Sequence, residues 1–173
     1  MKKKALLCLT LISSCLCMAS RAQTTVSLDP NLLGQPPVSS WPTFNGDYTG
    51  QRYSTLNQIT AANVDQITQQ WVYKITSVGA QRGAAEPVIK CTPLLVGGVL
   101  YITIPDHLWA LDAHTGKEIW HYDWVDHGGH LVGQRGVGIW KSSVYFLTPD
   151  NWLIALDAAN GKEDRRASCR ERV

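Results

Sequence analysis

The chain has 173 residues and a formal charge of +2, length enough for one ordinary domain. The charge is unevenly placed, because residues 23–163 carry eight Lys or Arg against twelve Asp or Glu, a net −4, and the basic excess sits at the two ends. No basic stripe is left to hold phosphates, which excludes nucleic acid as a partner.

Residues 1–22 read as a signal peptide. Lys2, Lys3 and Lys4 form a charged start, Ala5 to Met18 is apolar or small, and Ser20-Arg21-Ala22 offers small residues to a signal peptidase before Gln23. The apolar run is too short to span a membrane. The expected location is therefore periplasmic or secreted. A second reading stays open: Ile12-Ser13-Ser14-Cys15 fits a lipoprotein cleavage site, and a lipid on Cys15 would anchor the protein to a membrane. Ordinary cleavage is the favoured reading. Cys8, Cys15 and Cys17 belong to this leader and Cys169 to the far end, so Cys91 alone remains in the body and no disulfide framework is expected.

Residues 23–40, with Pro30, Pro36 and Pro37, read as an irregular lead-in. In Trp41-Pro42-Thr43-Phe44-Asn45-Gly46-Asp47-Tyr48, Asn-Gly-Asp is turn chemistry, and the aromatics around it, on to Tyr53, call for a core to pack on. Ile59 to Ile67 predicts one short helix, capped by Thr60, with Val64 and Ile67 on one face. The apolar period then changes to two. Strands are predicted over 70–75, 92–96, 99–104 and 109–112, with Gly97-Gly98 as a hairpin turn.

An internal repeat fixes the fold class. Tyr101 to Glu118 recurs as Tyr145 to Glu163 with one extra residue, and Ala110 and Ala155 stand 45 positions apart. That is the length of a four-stranded propeller blade. A solenoid could share the period but gives no reason for the tryptophan that follows the first copy. The run from Ala110 through Asp112, Thr115-Gly116 and Glu118 to Trp120 resembles the tryptophan-docking motif of pyrroloquinoline quinone (PQQ)-type propellers. Ala110 leaves room for a flat ring, Thr115-Gly116 turns the chain, and Trp120 is expected to lie on the next blade. The expected fold is thus all-β, a propeller of four-stranded blades that is incomplete in this chain. In the second copy Arg165 stands where the tryptophan belongs. Four arginines follow within residues 164–173, against two in the 111 residues before, so this segment reads as a non-native tail and the propeller portion as residues 41–163.

Trp41 to Ser54, Lys90 to Val96, Thr103 to Trp120 and Gln134-Arg135-Gly136-Val137 together resemble the N-terminal part of the PQQ-dependent (quinoprotein) alcohol dehydrogenases. The resemblance implies an oxidoreductase that takes an alcohol or sugar, uses PQQ with calcium, and passes electrons to a cytochrome. It implies two cofactor-binding positions here. One is Arg135, the arginine before a glycine, whose fixed cation suits the carboxylates and quinone oxygens of PQQ. The other is usually a glutamate three residues before a proline and is Lys90 in this chain; Glu86 does not rescue the match. The adjacent cysteine pair of the methanol and ethanol enzymes is missing from Gly128-Gly129-His130-Leu131. The family's calcium ligands and catalytic aspartate would lie beyond Val173, so no catalytic residue is assigned and the chain is expected to be inactive as it stands. His127 and His130, with Asp123 and Asp126 near them, are the one metal pattern read from spacing, and the bland reading, a glycine-rich loop, is preferred. The rival function is a non-enzymatic propeller scaffold or lipoprotein of the cell envelope, favoured by Cys15 and Lys90.

Overall fold

A computed structural model describes residues 25–75, 89–125 and 135–168. The leader with Cys15, Glu86, the segment from Asp126 to Gln134 and Cys169 lie outside the described residues. Among those described, no helix is long and apolar enough to cross a membrane.

Two four-stranded antiparallel sheets follow each other in sequence. The first contains β1 (Leu94–Val96), β2 (Val99–Ile104), β3 (His107–Asp112) and β4 (Glu118–Asp123); the second contains β5 (Gly138–Trp140), β6 (Ser143–Leu147), β7 (Trp152–Asp157) and β8 (Glu163–Ser168). Each sheet is a simple meander in chain order. Gly97 and Gly98 close the β1–β2 hairpin with φ of 57° and 76°, the doubly left-handed turn whose twist matches the flanking strands. The extra residue of the second copy is also accounted for. In the first sheet Ile104 pairs with His107 across Pro105-Asp106. In the second, Thr148 N–H donates to Trp152 O at 2.8 Å across a longer turn, with Asn151 left-handed at φ 67°.

The two β3–β4 and β7–β8 turns are built alike. Asp112 Oδ1 accepts from the backbone of His114 and Thr115 at 3.0 and 2.7 Å, and Asp157 Oδ1 accepts from Ala159 and Asn160 at 2.9 and 3.1 Å. Beyond each turn the register slips, between Ala110 and Leu111 and between Ala155 and Leu156. The bulge sets Trp120 opposite Ala110 and Arg165 opposite Ala155.

Tryptophan joins the sheets as the motif predicts. The Trp120 ring lies on Gly161, where an added Cβ would stand 2.5 Å from it, and its Nε1 donates to Ala158 O at 3.0 Å. Tyr101 gives its hydroxyl proton to the same carbonyl at 2.9 Å. Trp71 repeats this on the first sheet, over Gly116, with Nε1 donating to Ala113 O at 3.2 Å. Two residues on from each ring a tyrosine bonds the glutamate that opens the next outer strand: Tyr73 to Glu118, and Tyr122 to Glu163 at 3.0 Å. Residues 70–75, predicted as a strand, pair with nothing among the described residues, yet they carry the same Trp-x-Tyr clamp as β4.

The main core lies between the sheets, with Leu94, Tyr101, Leu108 and Trp120 from one side and Val144, Phe146, Ile154 and Leu156 from the other. A second core of Ile104, Trp109 and Leu111 backs the first sheet, covered in part by Tyr73 and Ile75. The lead-in is more than a connector. Val26, Leu28 and Leu33 are buried in the main core, and residues Pro30–Gly34 form a 3-10 turn capped by Asp29. Leu28 pairs with Lys141 and Trp41 with Leu95, so the segment ties one sheet to the other.

Two expectations fail here. The helix predicted over 59–67 reduces to a 3-10 turn at Val64–Gln66. Asn63 Oδ1 takes the Thr60 backbone proton at 2.7 Å, which offers the chain a local alternative to helix, and Val64 and Ile67 stay exposed instead of facing a core. Three of the four aromatics of 41–53 do not collapse on a core either: Trp41 is half-buried against Gly46, but Phe44, Tyr48 and Tyr53 are exposed, and Phe44 instead carries the Arg52 guanidinium at 4.4 Å. Residues 164–168, predicted to begin a tail, pair with β7, a backbone ladder that places few demands on side chains.

Candidate cofactor site

The two predicted positions lie on the approaches to the first strand of each sheet. Lys90 stands just before β1 and Arg135 just before β5, and both are exposed. The two approaches are joined by their backbones, with Thr92 N–H donating to Arg135 O at 3.1 Å. Gly136 makes this contact possible. Its φ is 127°, and a Cβ there would stand 3.0 Å from Thr92 O and 3.7 Å from Cys91 Cβ. Any other residue would be strained and would push the strands apart. Neither the Lys90 ammonium nor the Arg135 guanidinium has a hydrogen bond or ion pair among the described residues, so two exposed cations are presented from neighbouring strand starts. Cys91, next to Lys90 in the chain, is a free thiol whose Sγ receives the Thr103 N–H at 3.4 Å. The Thr103 hydroxyl is buried and unpartnered among the described residues.

Two cations beside a backbone cradle suit a flat, polyanionic group, and PQQ, with carboxylates and adjacent quinone oxygens, is such a group. Arg135 offers a planar fork for a carboxylate; Lys90 offers a point charge where the resemblance expects a carboxylate. A separate groove of about 900 Å³, lined among others by Val26, Gly98, Val99, His114 and Ile119, holds neither cation and none of the predicted site residues.

A second cluster was not predicted. His107, His121 and Asp123 share one end of β3 and β4, through the cross-strand pairs His107–Asp123 and Trp109–His121. His107 is buried, and burial lowers the His121 pKa below the ordinary histidine value against the opposing pull of Asp123. The signal that could have found it is the strand alternation His-x-Trp and His-x-Asp, but that needs the β3–β4 register. In the sequence Asp123 falls in a metal pattern only beside His127 and His130, which lie outside the described residues.

The profile of the PQQ glucose/ethanol/alcohol dehydrogenase β-propeller domain matches residues 41–167. This chain belongs to that family. Among the PQQ family's curated members, the quinohemoprotein alcohol dehydrogenase of Comamonas testosteroni is 41% identical over 130 residues, covering 71% of this chain and 17% of that protein. The quinoprotein glucose dehydrogenase of Escherichia coli is 34% identical over 141 residues, covering 70% of this chain and 18% of that protein. The crystal structure of the Comamonas testosteroni enzyme superposes with a TM-score of 0.72 at 35% identity, over 84% of this chain and 22% of that one. The chain thus spans about a fifth of the length of these relatives. The two sheets are consecutive blades of an incomplete PQQ-type propeller.

Proposed function

We propose that this chain is the N-terminal portion of a periplasmic PQQ-dependent dehydrogenase oxidising an alcohol or a sugar, with a cytochrome as electron acceptor. The observation that carries the reading is the pair of unpartnered cations, Lys90 and Arg135, on strand starts held together by the Thr92–Arg135 bond and the Gly136 close approach. PQQ, when bound, supplies the acceptor for the two electrons that leave the substrate, and calcium polarises it. Within this chain Arg135 binds and orients the cofactor through charge-assisted hydrogen bonds, Lys90 neutralises a carboxylate, and Gly136 sets the spacing of the two strands. None of its residues is assigned as the base, and we propose that the 173 residues by themselves do not turn over substrate.

The test is a titration of PQQ into the purified chain, followed by tryptophan emission. Saturable quenching that weakens roughly 10–100-fold in Arg135→Ala, the loss of a charged hydrogen bond, supports the reading. Quenching that is absent, or indifferent to Arg135, overturns it and leaves the envelope scaffold, the reading that Lys90 in a glutamate's place favours. Dye reduction by the chain with PQQ, calcium and ethanol would overturn the proposed inactivity.

A further inference from the structure

We propose that His107, His121 and Asp123 form a binding site for a divalent transition cation of the zinc class, separate from the PQQ positions, which fastens the ends of β3 and β4. Three ligand atoms converge: His107 Nδ1, His121 Nε2 and Asp123 Oδ1 lie within 4.8 Å of one another. The two nitrogens are 3.2 Å apart, His121 Nε2 is 3.0 Å from the carboxylate oxygen, and His107 Nδ1 contacts that same oxygen. Bonds of about 2.0–2.1 Å to a tetrahedral cation require ligand edges of about 3.3 Å. Two of the three edges are therefore within a few tenths of an ångström of a coordinating face, and the third, between His107 Nδ1 and the Asp123 oxygen, is closer and has to open to admit the ion. Two histidines and a carboxylate leave the fourth position to water.

Protons satisfy this arrangement poorly. If both nitrogens donate to one Asp123 oxygen, the two N–H groups crowd side by side with their nitrogens 3.2 Å apart, and a neutral His107 ring, with only one N–H to give, has none left for Asp106. A cation replaces both hydrogens and takes a lone pair from each ring. An independent feature points the same way. The other nitrogen of His107, Nε2, stands 3.5 Å from Asp106 Oδ1. A carboxylate behind the distal nitrogen is the device that fixes the tautomer of a metal-bound histidine. His121 is held as well, its ring stacked on the buried Trp109 at 4.5 Å between centroids and 8° between planes.

The chemistry selects the cation. Two imidazoles favour zinc, copper or nickel over calcium and magnesium, which take oxygen ligands. Strands lie about 4.7–4.9 Å apart, so β3 and β4 stand on the order of 10–14 Å outward from β1, beside which Lys90 sits. The site shares no ligand with Lys90 or Arg135, and it does not depend on their role. Asp123 is largely exposed, which leaves a path for the ion.

The experiment uses the whole chain, stripped with chelator. Zinc is titrated against a chromophoric zinc indicator, and copper quenching of tryptophan emission gives a second readout through the Trp109–His121 stack. Because Asp123 and the exposed part of His121 bear little packing, His121→Gln and Asp123→Asn keep the fold, checked by far-UV ellipticity. Each is expected to weaken zinc roughly 10–100-fold or more, with Asp106→Asn costing roughly tenfold. Calcium at the same concentration is expected not to compete. The proposal is overturned if the folded double variant His121→Gln/Asp123→Asn binds zinc and quenches with copper as the parent does. It is equally overturned if zinc is lost only on His127→Gln/His130→Gln, or if calcium displaces it.

Discussion

Trp120→Ala is expected to be the most damaging single change in the described residues. The ring is 7% exposed, seated on Gly161 and tilted against Tyr101 at 5.9 Å between centroids. Truncating a buried tryptophan costs about 3–5 kcal/mol, a large share of the 5–15 kcal/mol on the order of which whole domains are stable. Trp120→Phe separates burial from hydrogen bonding. It keeps most of the ring and removes the Nε1 bond, while Ala158 O retains the Tyr101 hydroxyl and is not orphaned. The expected cost is therefore about 1 kcal/mol for the bond. Urea unfolding followed by far-UV ellipticity distinguishes the two. With a slope of about 2 kcal/mol/M, the alanine variant moves the midpoint down by roughly 2 M and the phenylalanine variant by roughly 0.5 M. If the two variants cost the same, or if alanine costs less than about 1 kcal/mol, ring burial is not what joins the sheets and the docking argument is wrong.

Gly161→Ala places a methyl against the Trp120 ring at φ 69°, whereas Gly98→Ala, at φ 76°, meets nothing within 4 Å. Gly98→Ala should cost only the left-handed backbone term, about 1–2 kcal/mol, and Gly161→Ala more; in a double-mutant cycle the excess should vanish on the Trp120→Ala background, and additivity there would refute the contact. Alkali gives the remaining prediction. Burial first, then the bond to a glutamate, raise Tyr73 and Tyr122 to about 12 from the ordinary 10.0. A phenol whose pKa is higher folded than unfolded contributes stability below pH 10 that is lost as the pH rises to about 12. Melting temperature should fall over that window, less steeply in Tyr73→Phe/Tyr122→Phe; an unchanged slope would separate these tyrosines from the clamp.

Much of the architecture was legible because repetition is a signal that survives without an alignment. The spacing of Ala110 and Ala155, the Gly97-Gly98 turn and the Gly116/Trp120 motif each name a local geometry, and all three are found. What escaped depends on contacts between distant segments. Trp71-x-Tyr73 has the same clamp as Trp120-x-Tyr122, but two residues are too short a likeness to register before Gly116 and Glu118 are seen opposite them. Leu28 and Leu33 sit in a proline-rich stretch with no period, and their burial follows from the two bridges to Lys141 and Leu95. The aromatics of 41–53 misled, since ring content argues for burial only where a second surface is present, and Arg52 stabilises Phe44 in solvent. His107, His121 and Asp123 meet because the bulge at Ile119 shifts β4 by one residue. A one-residue slip exchanges the faces of every later side chain, so strand pattern alone cannot place them.

The hydrogen-bonded unit and the packed unit of this molecule are out of step by one strand. β4 completes the first sheet, but the ring it carries is seated on the turn that completes the second, and Tyr122 is fastened to Glu163 beyond it. Opening either sheet unseats its neighbour. The amides of β2 and β3 and those of β6 and β7 should therefore exchange with solvent as one cooperative block rather than as two. A sheet boundary drawn from the backbone ladders is then the wrong place to divide the chain into autonomous parts: the side chains of β4 have already closed the joint between the two sheets.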